Sequence, residues 1–328
     1  GMSRSLTIRA ETWPVEGRFA ISRGATTTVD LVLVELSMGG HRGRGECRPY
    51  ARYGETVDGV TAVLETLRGP VEQGLDRSEL QDIMPAGAAR NALDCALWDL
   101  AAKASDTPVW ALAGLAEPAS LATSYTLSLD TPESMRTAAE GHADKPLLKL
   151  KLGGDGDLER VRAVRSGAPD ACIVVDANEA WTLDDYKNLV PEMVKLGVMM
   201  IEQPFPEGQD DVLAALLRPI PVCADESCHD RASLPGLVGK YDMVNLKLDK
   251  TGGLSEALAV RREAEAAGFG IMVGCMVATS LAMAPAVLLA QGAAVVDLDG
   301  PLLLAEDRSP GLVIDGVVIE PPSKKLWG

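Results

Sequence analysis

The run Pro146-Leu147-Leu148-Lys149-Leu150-Lys151-Leu152-Gly153-Gly154 sets two lysines two residues apart in an otherwise apolar segment. In a strand, residues i and i+2 point to one face, so Lys149 and Lys151 share a face and Leu148, Leu150 and Leu152 take the other. Adjacent ammonium groups at a buried strand end repel, which weakens the hold of at least one on its proton unless a carboxylate is close. A lysine prepared in that way can act as a base near neutral pH. Three more apolar runs end in acids: Val174-Val175-Asp176, Met200-Ile201-Glu202 and Cys223-Ala224-Asp225. Such charges are costly beside apolar strands unless they are paired or bound to metal. Three oxygen ligands suit Mg²⁺, which keeps open positions for water or substrate. The three histidines, His41, His142 and His229, all lie away from these strand ends, which argues against zinc.

Positioning these groups requires a regular scaffold. From about residue 120, short apolar strands end near Thr126, Lys149/Lys151, Asp176, Glu202, Asp225, Lys247, Gly274 and Asp297, at intervals of 22 to 27 residues and with helical patterns between them. Eight such ends predict a (β/α)₈-type barrel, whose active sites lie at the C-terminal strand ends. Asp130-Thr131-Pro132-Glu133 and Thr182-x-x-Asp185 read as helix starts, and Gly197, Gly268 and Gly292 as helix stops. Only 29 residues follow Asp299, too few and too rich in Gly and Pro for an eighth helix. The expected fold is therefore α/β, a (β/α)₇β modified barrel over residues 119–305. An α+β capping domain over 1–118 is completed by the returning tail 306–328. In the cap, Leu6 to Ala10 and Thr28 to Leu36 alternate as strands, joined by a connection that includes the polar loop Ser22-Arg23-Gly24-Ala25, and helical patterns follow at Glu55 to Leu67 and Ala88 to Ala102.

In an eight-stranded barrel, strands two and six face each other. Lys149 and Lys151 therefore oppose Lys247, and the three acids fill the arc between. A substrate carbon held at the centre has a lysine on each face, one to remove a proton and one to return it, which inverts a stereocentre. Abstraction beside a carboxylate gives an enediolate, whose charge a metal ion stabilises. On strand eight, Asp297 and Asp299 share a face and suit a cationic substrate group such as a free α-ammonium.

Composition bounds the alternatives. With 47% hydrophobic and 24% charged residues the chain reads as an ordinary globular protein. Its net charge of −16 argues against nucleic acid and anionic membrane surfaces as partners. The six cysteines form no C-x-x-C pair and no signal peptide or spanning apolar run appears, so reduced thiols in the cytoplasm are expected. Gly1-Met2 reads as a cloning remnant.

In kind, order and spacing, the Lys149-x-Lys151 pair, the Asp176/Glu202/Asp225 triad and Lys247 resemble the enolase superfamily in its muconate-lactonising-enzyme-like branch. The resemblance extends to the helix-opening run Gly87-Ala88-Ala89-Arg90-Asn91-Ala92-Leu93-Asp94. Asp297-x-Asp299 is similar to the ammonium-binding motif of dipeptide epimerases. The resemblance implies an isomerase inverting the C-terminal residue of a dipeptide, of the L-Ala-D/L-Glu kind found in murein. It implies Lys151 and Lys247 as acid/base residues, Lys149 as the electrostatic tuner of Lys151, and Asp176, Glu202 and Asp225 as Mg²⁺ ligands. Asp297 and Asp299 would hold the ammonium and Thr126 would touch the substrate carboxylate. Of the loop cations Arg23, Arg48 and Arg52, the resemblance points to Arg23 as the partner of a glutamate side chain. An N-acylamino acid racemase, an o-succinylbenzoate synthase or a lactonising enzyme of the same superfamily stays open, as do a metal-free Schiff-base aldolase and a non-catalytic binding protein. A homo-oligomer is compatible with all of them.

Overall fold

The computed structural model describes residues 3–328, so Gly1-Met2 lies outside the described residues. The chain opens with a three-stranded antiparallel sheet, β1 (Arg4–Ile21), β2 (Gly24–Met38) and β3 (His41–Cys47). β1 and β2 pair along almost their full length, with a bulge between Pro14 and Phe19. The polar loop expected between the first two strands is thus the tip of a tight hairpin, with Ser22 and Arg23 at its turn, because ladder pairing absorbs the flanking residues.

One face of this sheet carries Val32, Val34 and Leu36 into a core with Leu64, Leu80, Leu93, Ala96 and Leu97 from three helices, Val57–Thr66, Arg77–Ile83 and Ala88–Ser105. Close approach of β3 to the last helix depends on Gly45. A Cβ there would lie 1.9 Å from the Ala92 carbonyl oxygen, far inside van der Waals contact.

The second unit is an eight-stranded parallel sheet in strict chain order. Its strands are β5 (Tyr125–Leu127), β6 (Leu147–Lys151), β7 (Cys172–Asp176), β8 (Val198–Glu202), β9 (Val222–Ala224), β10 (Met243–Leu246), β11 (Gly270–Val273) and β12 (Val295–Val296). Its first and last strands meet through Ser124 N donating to Val296 O at 2.8 Å, Leu298 N to Thr123 Oγ1 at 2.8 Å and Thr126 N to Asp299 Oδ2 at 2.7 Å. The curled sheet is closed by loop and side-chain bonds at that seam. Leu148, Leu150, Ile173, Val175, Ile201, Val222, Val244 and Val273 pack outward against the helices.

Two crossovers depart from the expected rhythm. After β8 and after β9 the chain forms the 3₁₀ turns Asp211–Ala215 and Arg231–Leu237 where α-helices were expected. Pro219 and Pro221 follow the first within six residues, and Pro235-Gly236 sits inside the second, residues that cannot sustain an α-helix. The helix starts behave largely as read. Thr182 and Asp185 form a reciprocal capping box, whereas the cap of helix Pro132–Gly141 is Thr131, one residue past Asp130. After Asp299 comes a 3₁₀ turn, Gly300–Leu303, and the tail hairpin β13 (Ile314–Asp315) and β14 (Val318–Ile319), which pairs with β4 (Leu121–Ala122). Trp327 then donates its indole N–H to Cys95 O in the cap, at 3.0 Å. The cap is further tied to the barrel by Arg308, which pairs with Glu46 at 2.7 Å while Thr279 N donates to the same carboxylate at 3.0 Å.

Candidate active site

Ladder register brings the charges to one level. Lys151 lies opposite Asp176, and Asp176 opposite Glu202, across neighbouring strands. Asp225 follows β9 directly, and Lys247 follows β10. β6 and β10 are four places apart in the ring of eight, so Lys149/Lys151 and Lys247 enter from opposite sides.

All of these groups are buried and ion-paired. Lys151 Nζ lies 2.8 Å from Asp176 Oδ2, and Lys247 Nζ lies 2.8 Å from Asp225 Oδ2. Lys149 Nζ stands among three carboxylates, 2.6 Å from Asp297, 3.1 Å from Glu202 and 3.5 Å from Asp176. Burial opposes its charge, yet Asp297, Glu202 and Asp176 outweigh burial and hold Lys149 well above the ordinary lysine value. The expected repulsion between the paired lysines is thus overridden at Lys149 by nearby acid. It is a permanent ammonium beside Lys151. Lys247 is raised in the same way: burial disfavours its charge, and Asp225 and Glu202 more than offset that.

The acid triad is tightly drawn together, with one oxygen from each of Asp176, Glu202 and Asp225 within 4.8 Å of the others. Burial raises all three, but Lys151 and Lys149 pull Asp176 below the ordinary aspartate value, and Lys247 and Lys250 pull Asp225 well below it. Glu202 has less compensation and is pushed up to about 8 by burial and by Asp176. Asn245 Nδ2 donates to Glu202 Oε2 at 3.0 Å, whereas Glu202 Oε1 accepts no hydrogen bond. A buried carboxylate oxygen that accepts no well-formed hydrogen bond, with only the Lys149 ammonium at 3.1 Å beside it, fits a hard divalent cation when it sits in a set of hard oxygen ligands.

The strand-eight acids reach the site by a route the alternation argument did not foresee. β12 ends at Val296, and Asp299 instead caps the following 3₁₀ turn. Asp297 is joined to the triad through Lys149 and also accepts from Ser124 Oγ at 2.8 Å. Lys149 and Lys151 hold Asp297 below the ordinary value in spite of burial. Asp299, bonded by the Thr126 amide, is pushed up to about 7 by burial and by Asp297. Thr126 is buried in β5, one residue before that strand ends.

Lys149, Lys151, Lys247, Asp297, Asp299 and Thr126 line one cavity of about 540 Å³ of empty space, partly open to solvent. Its roof comes from the hairpin tip and the loop after β3, including Arg23, Arg48 and Tyr50, and its wall includes Cys275 and Met276. Arg23 pairs with Glu226 at 2.7 Å and Glu179 at 3.3 Å and donates to Tyr50 Oη at 2.9 Å. Arg52 is drawn away by Glu179 and Glu207.

Reading the residue types alone overlooked several members. Lys250 is fully buried, donating to Asp225 Oδ1, Asp225 O and Asn245 O, each at 2.8 Å. Asn178 N donates to Asp176 Oδ1 at 2.9 Å. Asn178 and Gln203 hold positive φ angles of 45° and 38° two residues and one residue past the acids that end β7 and β8, a strained backbone of the kind that clusters at functional sites. Each lies within three residues of a strand-end charge, the one signal that could have found them.

Residues 130–322 match the family described as Enolase C-terminal domain-like, and residues 3–114 match the Mandelate racemase / muconate lactonizing enzyme N-terminal domain. The L-Ala-D/L-Glu epimerase of Escherichia coli is 46% identical over 94% of this chain and 97% of its own length. An N-acetyl-D-glutamate racemase from a Pseudoalteromonas species is 45% identical over 87% and 91%. A solved enolase family member from Agrobacterium tumefaciens with homology to dipeptide epimerases, holding sodium and L-Ala-L-Glu, superposes with a TM-score of 0.98 at 50% identity, over 99% of this chain and 100% of that one.

Proposed function

We propose that this chain, which belongs to the enolase superfamily in its mandelate racemase and muconate lactonizing group, is a Mg²⁺-dependent dipeptide epimerase acting on L-Ala-D/L-Glu and related murein-type peptides. The observation that carries the reading is that Lys151, Lys247, Asp297 and Asp299 line a single cavity. Two opposed bases suit inversion, and an acid pair in the same space suits a free amino terminus.

Asp176, Glu202 and Asp225 would hold Mg²⁺, which when bound stabilises the charge that builds on the substrate carboxylate as the α-carbon loses its proton. One of Lys151 and Lys247, as the free amine, takes that proton from the C-terminal residue. The other, as the ammonium, delivers a proton to the opposite face, and the carbon returns inverted with no net change in protons. The reverse direction exchanges their roles. Lys149 keeps its charge throughout and lends positive potential to the enediolate and to Lys151. Asp297 and Asp299 receive the α-ammonium, Thr126 contacts the substrate carboxylate, and Arg23 in the roof faces the glutamate side chain. Among the described residues no helix is long and apolar enough to cross a membrane, and the six cysteines are unbridged, in keeping with the cytoplasmic location in this reading.

The test is isotopic. Incubated with Mg²⁺ in D₂O, the enzyme is expected to place one deuteron on the α-carbon of the second residue of L-Ala-L-Glu and to produce L-Ala-D-Glu. Exchange into N-acetylglutamate with none into any free dipeptide would move the assignment to the N-acylamino acid racemases.

A further inference from the structure

We infer that Arg48 is a specificity-determining residue, the cation that selects an anionic side chain on the residue being inverted. This rests on the epimerase reading and goes beyond it in assigning the charge selection. Five cations line the cavity: Arg23, Arg48, Lys149, Lys151 and Lys247. Four have carboxylate partners at 2.6 to 2.8 Å, namely Glu226, Asp297, Asp176 and Asp225. Among the described residues Arg48 has none. The guanidinium makes one long hydrogen bond, 3.5 Å from Nη1 to the Val277 carbonyl, and lies over the Tyr50 ring at 5.6 Å from its centroid. Neither contact neutralises it.

The backbone that carries it is nevertheless fixed. The Arg48 amide donates at 3.2 Å to Asp249 Oδ1, which also accepts from Asn91 Nδ2 at 2.9 Å. The loop after β3 is thereby pinned to the residue two positions past Lys247, and the arginine is aimed into the cavity from its roof. Burial draws its guanidinium down from the ordinary arginine value, with Tyr50 and Asp249 offsetting part of that. A desolvated, positioned and uncompensated guanidinium gains most from a carboxylate, which it can grip with two parallel bonds, and gains little from a neutral amide. Arg23 also lines the cavity, but Glu226 at 2.7 Å already balances its charge, so discrimination of acid from amide falls to Arg48.

The experiment compares kcat/KM for L-Ala-L-Glu and L-Ala-L-Gln in the full-length Mg²⁺-loaded protein, its Arg48→Met variant and its Arg48→Lys variant. Arg48→Met is expected to lower the Glu/Gln ratio by about 10- to 100-fold, the range of a charged hydrogen bond, with turnover of the glutamine dipeptide within a few-fold of the parent. Arg48→Lys, which keeps charge and stem, is expected to retain part of the ratio. An unchanged ratio in Arg48→Met overturns the assignment, and so does an equal loss on both dipeptides, which would make Arg48 a prop for its loop. If Arg48→Met does not fold, the lysine variant decides: a ratio no different from the parent's when 0.5 M NaCl screens both proteins equally, together with no salt sensitivity in the parent, overturns it. Failure of the epimerase reading would be seen separately, as a parent enzyme inert to both dipeptides, and the same ratio is then read on N-acetylglutamate and N-acetylglutamine.

Discussion

The floor and the roof of the cavity are built on opposite rules. The floor stands on the ends of parallel strands whose backbones are locked by ladder bonds. Its lysines are buried and closed into ion pairs of 2.6 to 2.8 Å with Asp297, Asp176 and Asp225. The roof is a hairpin tip and a loop, partly exposed, joined to the floor by a few bridges such as Arg23 to Glu226 and Arg52 to Glu179. Desolvation makes the floor intolerant of losing any one charge, because each removal strands a buried partner. The roof can exchange side chains at smaller cost. A scaffold divided in this way keeps the proton chemistry constant and leaves selection of the substrate to the loops.

The largest expected effect breaks the floor. Lys151→Ala and Lys247→Ala should each lower epimerisation by at least about 10³-fold in both directions, within the range for a lost general acid or base. The two variants should then separate. Each keeps one base, so each should still exchange the α-proton of one epimer with D₂O, and the two variants should do so with opposite epimers. Mass spectrometry on enantiopure L-Ala-L-Glu and L-Ala-D-Glu reads this directly. Exchange of the same epimer by both variants would refute the opposed two-base arrangement.

That floor was legible in the sequence because its signals are periodic and costly. A charge at the end of one apolar run after another, at barrel spacing, is hard to sustain unless those charges meet in one place, and Lys149, Lys151, Asp176, Glu202, Asp225 and Lys247 are all found at strand ends. What the pattern could not give was side-chain pairing across the ring. Lys149 reaching Asp297 joins positions 148 residues apart, and no local spacing encodes that contact. The roof was harder still. Whether Arg23, Arg48 or Arg52 keeps a free charge depends on Glu179, Glu207 and Glu226, three acids from other loops. The two missing crossover helices were suppressed by Pro and Gly that a strict repeat invites one to overlook.

An intermediate effect probes the floor where it meets the substrate's amino end. Asp299, pushed up to about 7 by burial and Asp297, binds an ammonium only when ionised. Its ionised fraction grows as pH rises through about 7, so KM for free dipeptides should fall over that interval. The trend should end near pH 8, where a peptide α-amino group starts to lose its own proton. Asp299→Asn should raise KM by about 10- to 100-fold with kcat changed less, and should flatten the pH trend. Steady-state kinetics from pH 6 to 8 give both numbers. An Asp299→Asn enzyme with the parent's KM and slope would remove Asp299 from the ammonium site.

The smallest expected effect on turnover lies at the joint between the two regions, and there stability is the sharper readout. Asp249 touches both, following Lys247 on the barrel and accepting the Arg48 amide and the Asn91 side chain from the cap, both on Oδ1. Burial pushes its carboxyl up to about 7, against the lesser pull of those two donors. Its folded value therefore exceeds the unfolded one. A group of this sign contributes stability that is complete below the unfolded aspartate value near 4 and is lost as pH rises to about 7. An asparagine keeps an oxygen for both donors and has no proton to lose. Asp249→Asn should thus become progressively more stable than the parent as pH goes from about 4 to about 7, reaching on the order of 4 kcal/mol by linkage. Turnover of L-Ala-L-Glu should change by no more than a few-fold. Urea unfolding at several pH values measures the trend. A stability difference independent of pH would mean that the joint is held by an already ionised Asp249, and that cap and barrel meet through charge instead of through a neutral hydrogen-bonded acid.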